Sequence, residues 1–235
     1  MNIHRSTHRI RALITGILIT VFLMVTHTSA VAASKETLWN IINNCLDITA
    51  LDYCTTCNVQ RTESGCGGGA ANSCATQLDV WAESSNYVAI RDQKMCGCPS
   101  DFVHGLAIPR AHVTGVEDPK RPTGIWAFAW AEARSKISDE KTIALVVNPA
   151  LKRSQDQLHV HIVRLKKDAR HNATAQHQAR VESLDLVWSV ARQLAKDPKF
   201  DDYGVLVIKH PETGYLVLIS RESPEYKYTE ATCGK

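Results

Sequence analysis

Polar and apolar side chains alternate from Gln155 to Val163 (Gln-Asp-Gln-Leu-His-Val-His-Ile-Val). A period of two is the signature of a β-strand with unlike faces. Gln157, His159 and His161 then share one face, and Leu158, Val160 and Ile162 the other. Burying three hydrogen-bonding side chains without partners is costly, so that face marks a candidate site. The preceding run Thr142–Val147 is continuously apolar and β-branched, which suits a buried strand, and Asn148-Pro149 ends it as a turn. Lys152, Arg153, Ser154, Gln155 and Asp156 form a polar, basic loop between the two strands. Cationic and hydroxyl groups beside imidazoles are what a phosphate needs.

The rest of the chain divides by the same rule. Lys35–Asp47 has helical spacing of Trp39, Ile42 and Leu46, with Ser34 as N-cap. Thr123–Ile137 and Val181–Lys196 read as amphipathic helices, their tryptophans 126, 130 and 188 facing a core. Short strands are expected at Tyr87–Arg91, Phe102–Pro109, Gly204–Ile208 and Tyr215–Ser220, the last two joined by a Pro-Glu-Thr-Gly turn. Helices inserted among antiparallel strands define an α+β fold. Residues 52–74 are loop-like, and the run Gly67-Gly68-Gly69 reads as part of a disulfide-held loop rather than a phosphate cradle.

The N-terminus differs from this pattern. Arg5, Arg9 and Arg11 precede an apolar run from Ala12 to Val25, and small residues Ser29–Ala33 follow. This is the layout of a signal peptide, or of an uncleaved anchor if the run extends to Ala33. Either way the rest of the chain is expected to be exported, to the periplasmic face of the inner membrane or as a periplasmic or secreted protein. The expected organisation is therefore a leader at 1–33 and one domain at 34–235, with a Cys-rich loop at about 52–98. Without the leader, 24 basic and 24 acidic residues balance, so charge gives no reason to expect nucleic acid.

Eight cysteines stand at 45, 54, 57, 66, 74, 96, 98 and 233. An even number in an exported chain implies four disulfides; Cys54-x-x-Cys57 with Cys66, Cys74 or Cys96-x-Cys98 keeps a zinc site open as an alternative. His104 and His112 flank Ile108-Pro109 and could approach the site, but read more simply as polar surface; His171 and His177 sit in a polar segment without ligand spacing, and His210 precedes a turn.

The segment from Leu145 to Asn148 and on to His159-Val-His161-Ile-Val resembles the histidine-triad superfamily of nucleotide hydrolases and transferases. Gln157 stands where that motif has its first histidine. Gly105–Pro109, Gly115–Pro119, Trp126–Arg134 and Tyr203–Ile208, in that order behind an N-terminal hydrophobic segment, are similar to the CDP-diacylglycerol pyrophosphatase family, a membrane-associated branch of that superfamily. The Cys-rich stretch departs from the family pattern and reads as an elaboration.

The resemblance implies a histidine-triad-like sheet and cleavage of CDP-diacylglycerol to CMP and phosphatidate. His159 would be the nucleophile, assisted by His161. Asn148, Arg153, Ser154, Gln155 and Gln157 would bind phosphate, with no metal and no cofactor. The partners implied are a nucleotide-lipid and a membrane surface. It also favours a Cys45–Cys74 disulfide. Two other readings remain open: an exported hydrolase of a soluble nucleotide diphosphate, and a catalytically silent disulfide-rich binding protein, for which the missing first histidine is the best support. A metal bound by His159 and His161 would have only two ligands, too few for a tight site.

Overall fold

A computed structural model describes residues 34–66, 73–173, 177–196 and 199–234. The expected leader and the Gly67–Gly69 run lie outside the described residues. The fold is α+β. Its strands are β1 (Gln60–Arg61), β2 (Gln77–Leu78), β3 (Val80–Glu83), β4 (Tyr87–Arg91), β5 (His104–Pro109), β6 (Ile143–Val147), β7 (Val160–Arg164), β8 (Gln178–Val181), β9 (Gly204–Lys209) and β10 (Tyr215–Ser220). Its helices are α1 (Thr37–Asn44), α2 (Tyr53–Thr56), α3 (Ile125–Lys136), α4 (Ala169–Ala173), α5 (Val187–Leu194) and α6 (Pro224–Tyr228).

Eight strands form one antiparallel sheet in the order β3-β4-β5-β7-β6-β9-β10-β8. The two central strands β7 and β6 are the ones the hydrophobic pattern picked out, and they pair directly, Val146 opposite His161. β6 is buried along its whole length, as a continuous apolar run requires.

One face of the sheet is covered by α3 and α5. Ile125, Trp126, Ala129, Trp130 and Ala133 of α3 pack on Ala107, Leu145, Val160, Ile162 and Val207. Trp126 meets Trp188 of α5 edge to face, with ring centroids 4.8 Å apart. The other face carries two separate apolar clusters. At one end, Leu38, Ile41 and Ile42 of α1 and the Cys-rich segment cover Val88, Ile90, Leu106 and Ile108. At the other, Tyr228 of α6 and Ala169 of α4 cover Ala144, Val146, Leu206 and Leu218. His161 lies between them, paired across to Leu106 on β5 and to Val146 on β6.

Three expectations are corrected. The histidine strand begins at Val160, not Gln155, because Asp156 and Leu158 give their backbone N–H groups to Lys35 and Val113 outside the sheet. The second amphipathic helix is shorter, Val187–Leu194, because residues 178–181 instead extend the sheet as an edge strand on β10. In α1, Glu36 takes the N-cap place, while the Ser34 hydroxyl accepts from the Glu36 N–H just outside it.

The cysteine map also differs. The disulfides are Cys45–Cys57, Cys54–Cys66, Cys74–Cys96 and Cys98–Cys233, and no cysteine is free. The Cys45–Cys74 pairing and the zinc alternative are therefore overturned. Cys45 and Cys57 meet because the ends of α1 and α2 are packed into one apolar cluster with Tyr53. Cys74 is held near Cys96 by Arg91, which donates to the Cys74 and Gln77 carbonyls. Cys98–Cys233 spans 135 residues of chain, the longest separation of the four. Loop-closure entropy makes such a crosslink worth more than the short ones, on the order of 2–5 kcal/mol. Replacing Cys98 and Cys233 together by Ser is expected to lower urea-denaturation stability by more than the same change at Cys54 and Cys66; an equal or smaller loss would contradict this view of the pair.

Candidate active site

His159 precedes β7 and His161 lies within it, so alternation turns both imidazoles to the same face, ring centroids 4.8 Å apart. The Nδ1 of His159 is 2.7 Å from the carbonyl oxygen of Gln157. A carbonyl only accepts, so Nδ1 carries the proton and donates it. In the neutral ring Nε2 is then left with a bare lone pair. Burial lowers the His159 pKa below its ordinary value, which favours that neutral form.

His161 has Nδ1 3.0 Å from Nε2 of His104, and Nε2 3.4 Å from the Asn148 amide nitrogen. His104 is fully buried, which corrects the expectation of a surface residue. β5 places it on the face that also carries Leu106 and Ile108, one strand away from His161. Burial, and then the Lys94 charge, push its pKa down to about 4. His161 is lowered well below the ordinary value, also mainly by burial. His112, by contrast, is exposed and rests on Trp39.

A carboxylate absent from the sequence reading joins these rings. Glu225, on α6, is 1% exposed. It accepts from the Asn148 amide at 2.6 Å, pairs with the Lys94 ammonium, and lies 3.4 Å from His161 Nε2 and 3.5 Å from His104 Nε2. Ser223 donates to the Asn148 Oδ1 at 2.7 Å, so Asn148 is fixed from both ends by the C-terminal segment. Asp92, His104 and His161 each bring one ligand-type atom to within 4.8 Å of the others, a spacing that a divalent ion can span. The Lys94 ammonium, paired with Glu225 beside them, brings like charge into the same space.

The histidines open on a cleft of about 220 Å³. Leu38, Ile41, Val59, Leu78, Ile90 and Leu106 form its apolar wall, and Asp92, Lys94, Ser154, Gln155, His159 and His161 its polar end. A smaller recess on another side of His159 is lined by Thr114, Gly115, Asn148 and Arg153. The structure thus brings His159, His161, Ser154 and Gln155 together on the cleft. Arg153 is largely committed elsewhere, making two bonds to Glu117 at 2.7 and 2.9 Å. Gln155 accepts from the Leu38 N–H and donates to the Ser34 carbonyl, fastening the start of α1 to the cleft.

Gln157 does not face the cleft as expected of a phosphate ligand. It is fully buried; its amide donates to the Pro109 and Ala111 carbonyls and accepts from the Val113 N–H. Its side chain fixes the segment after β5, and its backbone carbonyl fixes the tautomer of His159.

The α+β domain thus presents two adjacent imidazoles where an apolar wall meets a polar cleft end. The sequence profile of CDP-diacylglycerol pyrophosphatase matches residues 33–195, and the chain belongs to that family. A probable CDP-diacylglycerol pyrophosphatase of Mycobacterium leprae (strain TN) is 31% identical over 143 residues, covering 56% of this chain and 43% of the relative. The CDP-diacylglycerol pyrophosphatases of Mycobacterium bovis (strain BCG / Pasteur 1173P2) and Mycobacterium tuberculosis (strain ATCC 25177 / H37Ra) are 29% identical over 140 residues, covering 55% of this chain and 44% of each relative. The matched segment spans less than half the length of these curated relatives.

The depressed pKa of His104 fixes the sign of a pH effect. The unfolded chain takes up a proton near pH 6.5, the folded one only near 4, so stability rises with pH across that window and is lost on acidification. Between pH 7 and 4.5 this one ring contributes a loss of about 2–3 kcal/mol. Urea denaturation at both pH values should show a smaller drop for His104→Gln than for the unaltered chain. Equal drops would mean that His104 is not held neutral.

Proposed function

We propose that this chain hydrolyses CDP-diacylglycerol to CMP and phosphatidate through a nucleotidyl-histidine intermediate, on a histidine-triad-like sheet. The carrying observation is the 2.7 Å bond from His159 Nδ1 to the Gln157 carbonyl, which leaves Nε2 bare in the cleft wall. The Nε2 lone pair forms a bond to the nucleotide phosphorus. The bond from that phosphorus to the bridging oxygen breaks, and its electron pair leaves on phosphatidate. Water then forms a bond to that phosphorus, the phosphorus–nitrogen bond breaks with its electron pair returning to Nε2, and CMP and a proton are released. Splitting one displacement into two easier ones is the gain of covalent catalysis.

The cleft supports the lipid assignment over a soluble nucleotide. Its apolar wall meets its polar end at the histidines, as an amphiphilic diphosphate requires. On this reading Ser154 and His161 contact phosphate oxygens, and Asn148 and Arg153 hold the ring and loop in place. The four disulfides support an oxidising, exported location, and a leader at 1–33 would bring the domain to its membrane-borne substrate.

The test is a quenched reaction with CDP-diacylglycerol labelled at the nucleotide phosphorus, in detergent. The unaltered chain should carry label in an acid-labile, alkali-stable bond at His159. His159→Ala should lose the label and roughly 10⁴-fold or more of kcat while remaining folded. Turnover by His159→Ala near the unaltered rate would sink the proposal. Because burial holds the nucleophile neutral, kcat/KM measured against pH should keep its plateau below pH 6.5; a fall centred at or above 6.5 would contradict a depressed pKa.

A further inference from the structure

We propose that Lys94 is the cation that binds the substrate diphosphate, and that Glu225 and the Cys98–Cys233 disulfide clamp it in place. The inference rests on the diphosphate reading above and adds the residue that meets its charge. A bound diphosphate needs a fixed positive group within hydrogen-bond reach. The loop that sequence patterning nominated does not supply one: Lys152 is not among the residues lining the cleft, and Arg153 is spent on Glu117 and Asp156 with its side chain only 8% exposed.

Among the described residues, the cleft is lined by two cations, Arg91 and Lys94. The Arg91 guanidinium is held by Asp79 at 3.3 Å and by the Cys74 and Gln77 carbonyls. Lys94 has one close anionic partner, Glu225, and an ammonium has three protons to give. Lys94 lines the polar end of the cleft together with His159 and His161, and its side chain, whose ammonium also lies 5.4 Å from the Tyr226 ring centroid, is 33% exposed. The buried Glu225 outweighs the cost of burial and keeps Lys94 charged.

Lys94 sits in a three-residue turn, Gln93–Met95, whose N–H is accepted by the Asp92 carboxylate at 2.9 Å. Disulfides fix the chain on its C-terminal side: Cys96 to Cys74 and Cys98 to Cys233. Gly97 between them has a φ of +70°, a conformation costly for other residues. Cys233 belongs to the C-terminal segment that also carries Glu225. The segments that carry the ion pair are therefore joined by a covalent bond four residues beyond Lys94 and eight beyond Glu225.

The test measures calorimetric binding of the α,β-methylene analogue of CDP, with cytidine as the phosphate-free control. Lys94→Met should weaken analogue binding by roughly 10- to 100-fold. Lys94→Arg should recover most of that loss, and cytidine binding should not change. The Cys98→Ser, Cys233→Ser double variant should shift the analogue in the same direction as Lys94→Met, by a smaller factor. Unchanged analogue binding by a folded Lys94→Met chain overturns this inference and leaves the His159 chemistry untouched. Equal losses for analogue and cytidine would show a structural role and overturn it as well. Unchanged binding by the double variant overturns the clamp. No analogue binding by the unaltered chain overturns the diphosphate reading itself, and the Lys94 assignment with it.

Discussion

One short hydrogen bond governs the candidate site. The His159 ring donates from Nδ1 to the carbonyl of a residue two positions earlier in its own chain. A neutral imidazole has a single proton, so placing it on one nitrogen empties the other. The contact needs no acidic partner. It needs only that the chain from Gln157 to His159 stay in one conformation, and Gln157 secures this with three bonds to the segment after β5. The Gln157 side chain thus acts as a brace for the segment that carries His159.

The remaining polar groups have a different task. Three imidazoles, Asp92, Glu225 and Lys94 share a small volume between two apolar clusters. Burial disfavours charge on every ring, and the single buried carboxylate is matched by one ammonium and one amide. The arrangement keeps the histidines neutral while retaining a positive group at the cleft. Apolar side chains from α1 and the Cys-rich segment close the opposite wall, so that segment also contributes to the cleft.

Much of this was legible in the sequence. Periodicity gave the central pair β6–β7, helix α3, strands β4, β9 and β10, and the two histidines on one face, because each depends on local alternation or helical spacing. Long-range partners were not legible. Glu225 is 64 residues from His161 in the chain, and nothing in Ser-Pro-Glu-Tyr marks it as buried. His104 looked like a surface residue because its burial depends on strand order, which no local pattern encodes. Four disulfides were legible from the cysteine count, but their connectivity was not, for the same reason: pairing follows the meeting of α1 with α2 and of the C-terminal segment with residues 96–98, both tertiary events.

The most direct measurement is the ¹⁵N NMR spectrum of the His159 ring in the unliganded protein at neutral pH. The account predicts a neutral ring with a protonated Nδ1 and a bare Nε2. A proton on Nε2, or a doubly protonated ring, would contradict it.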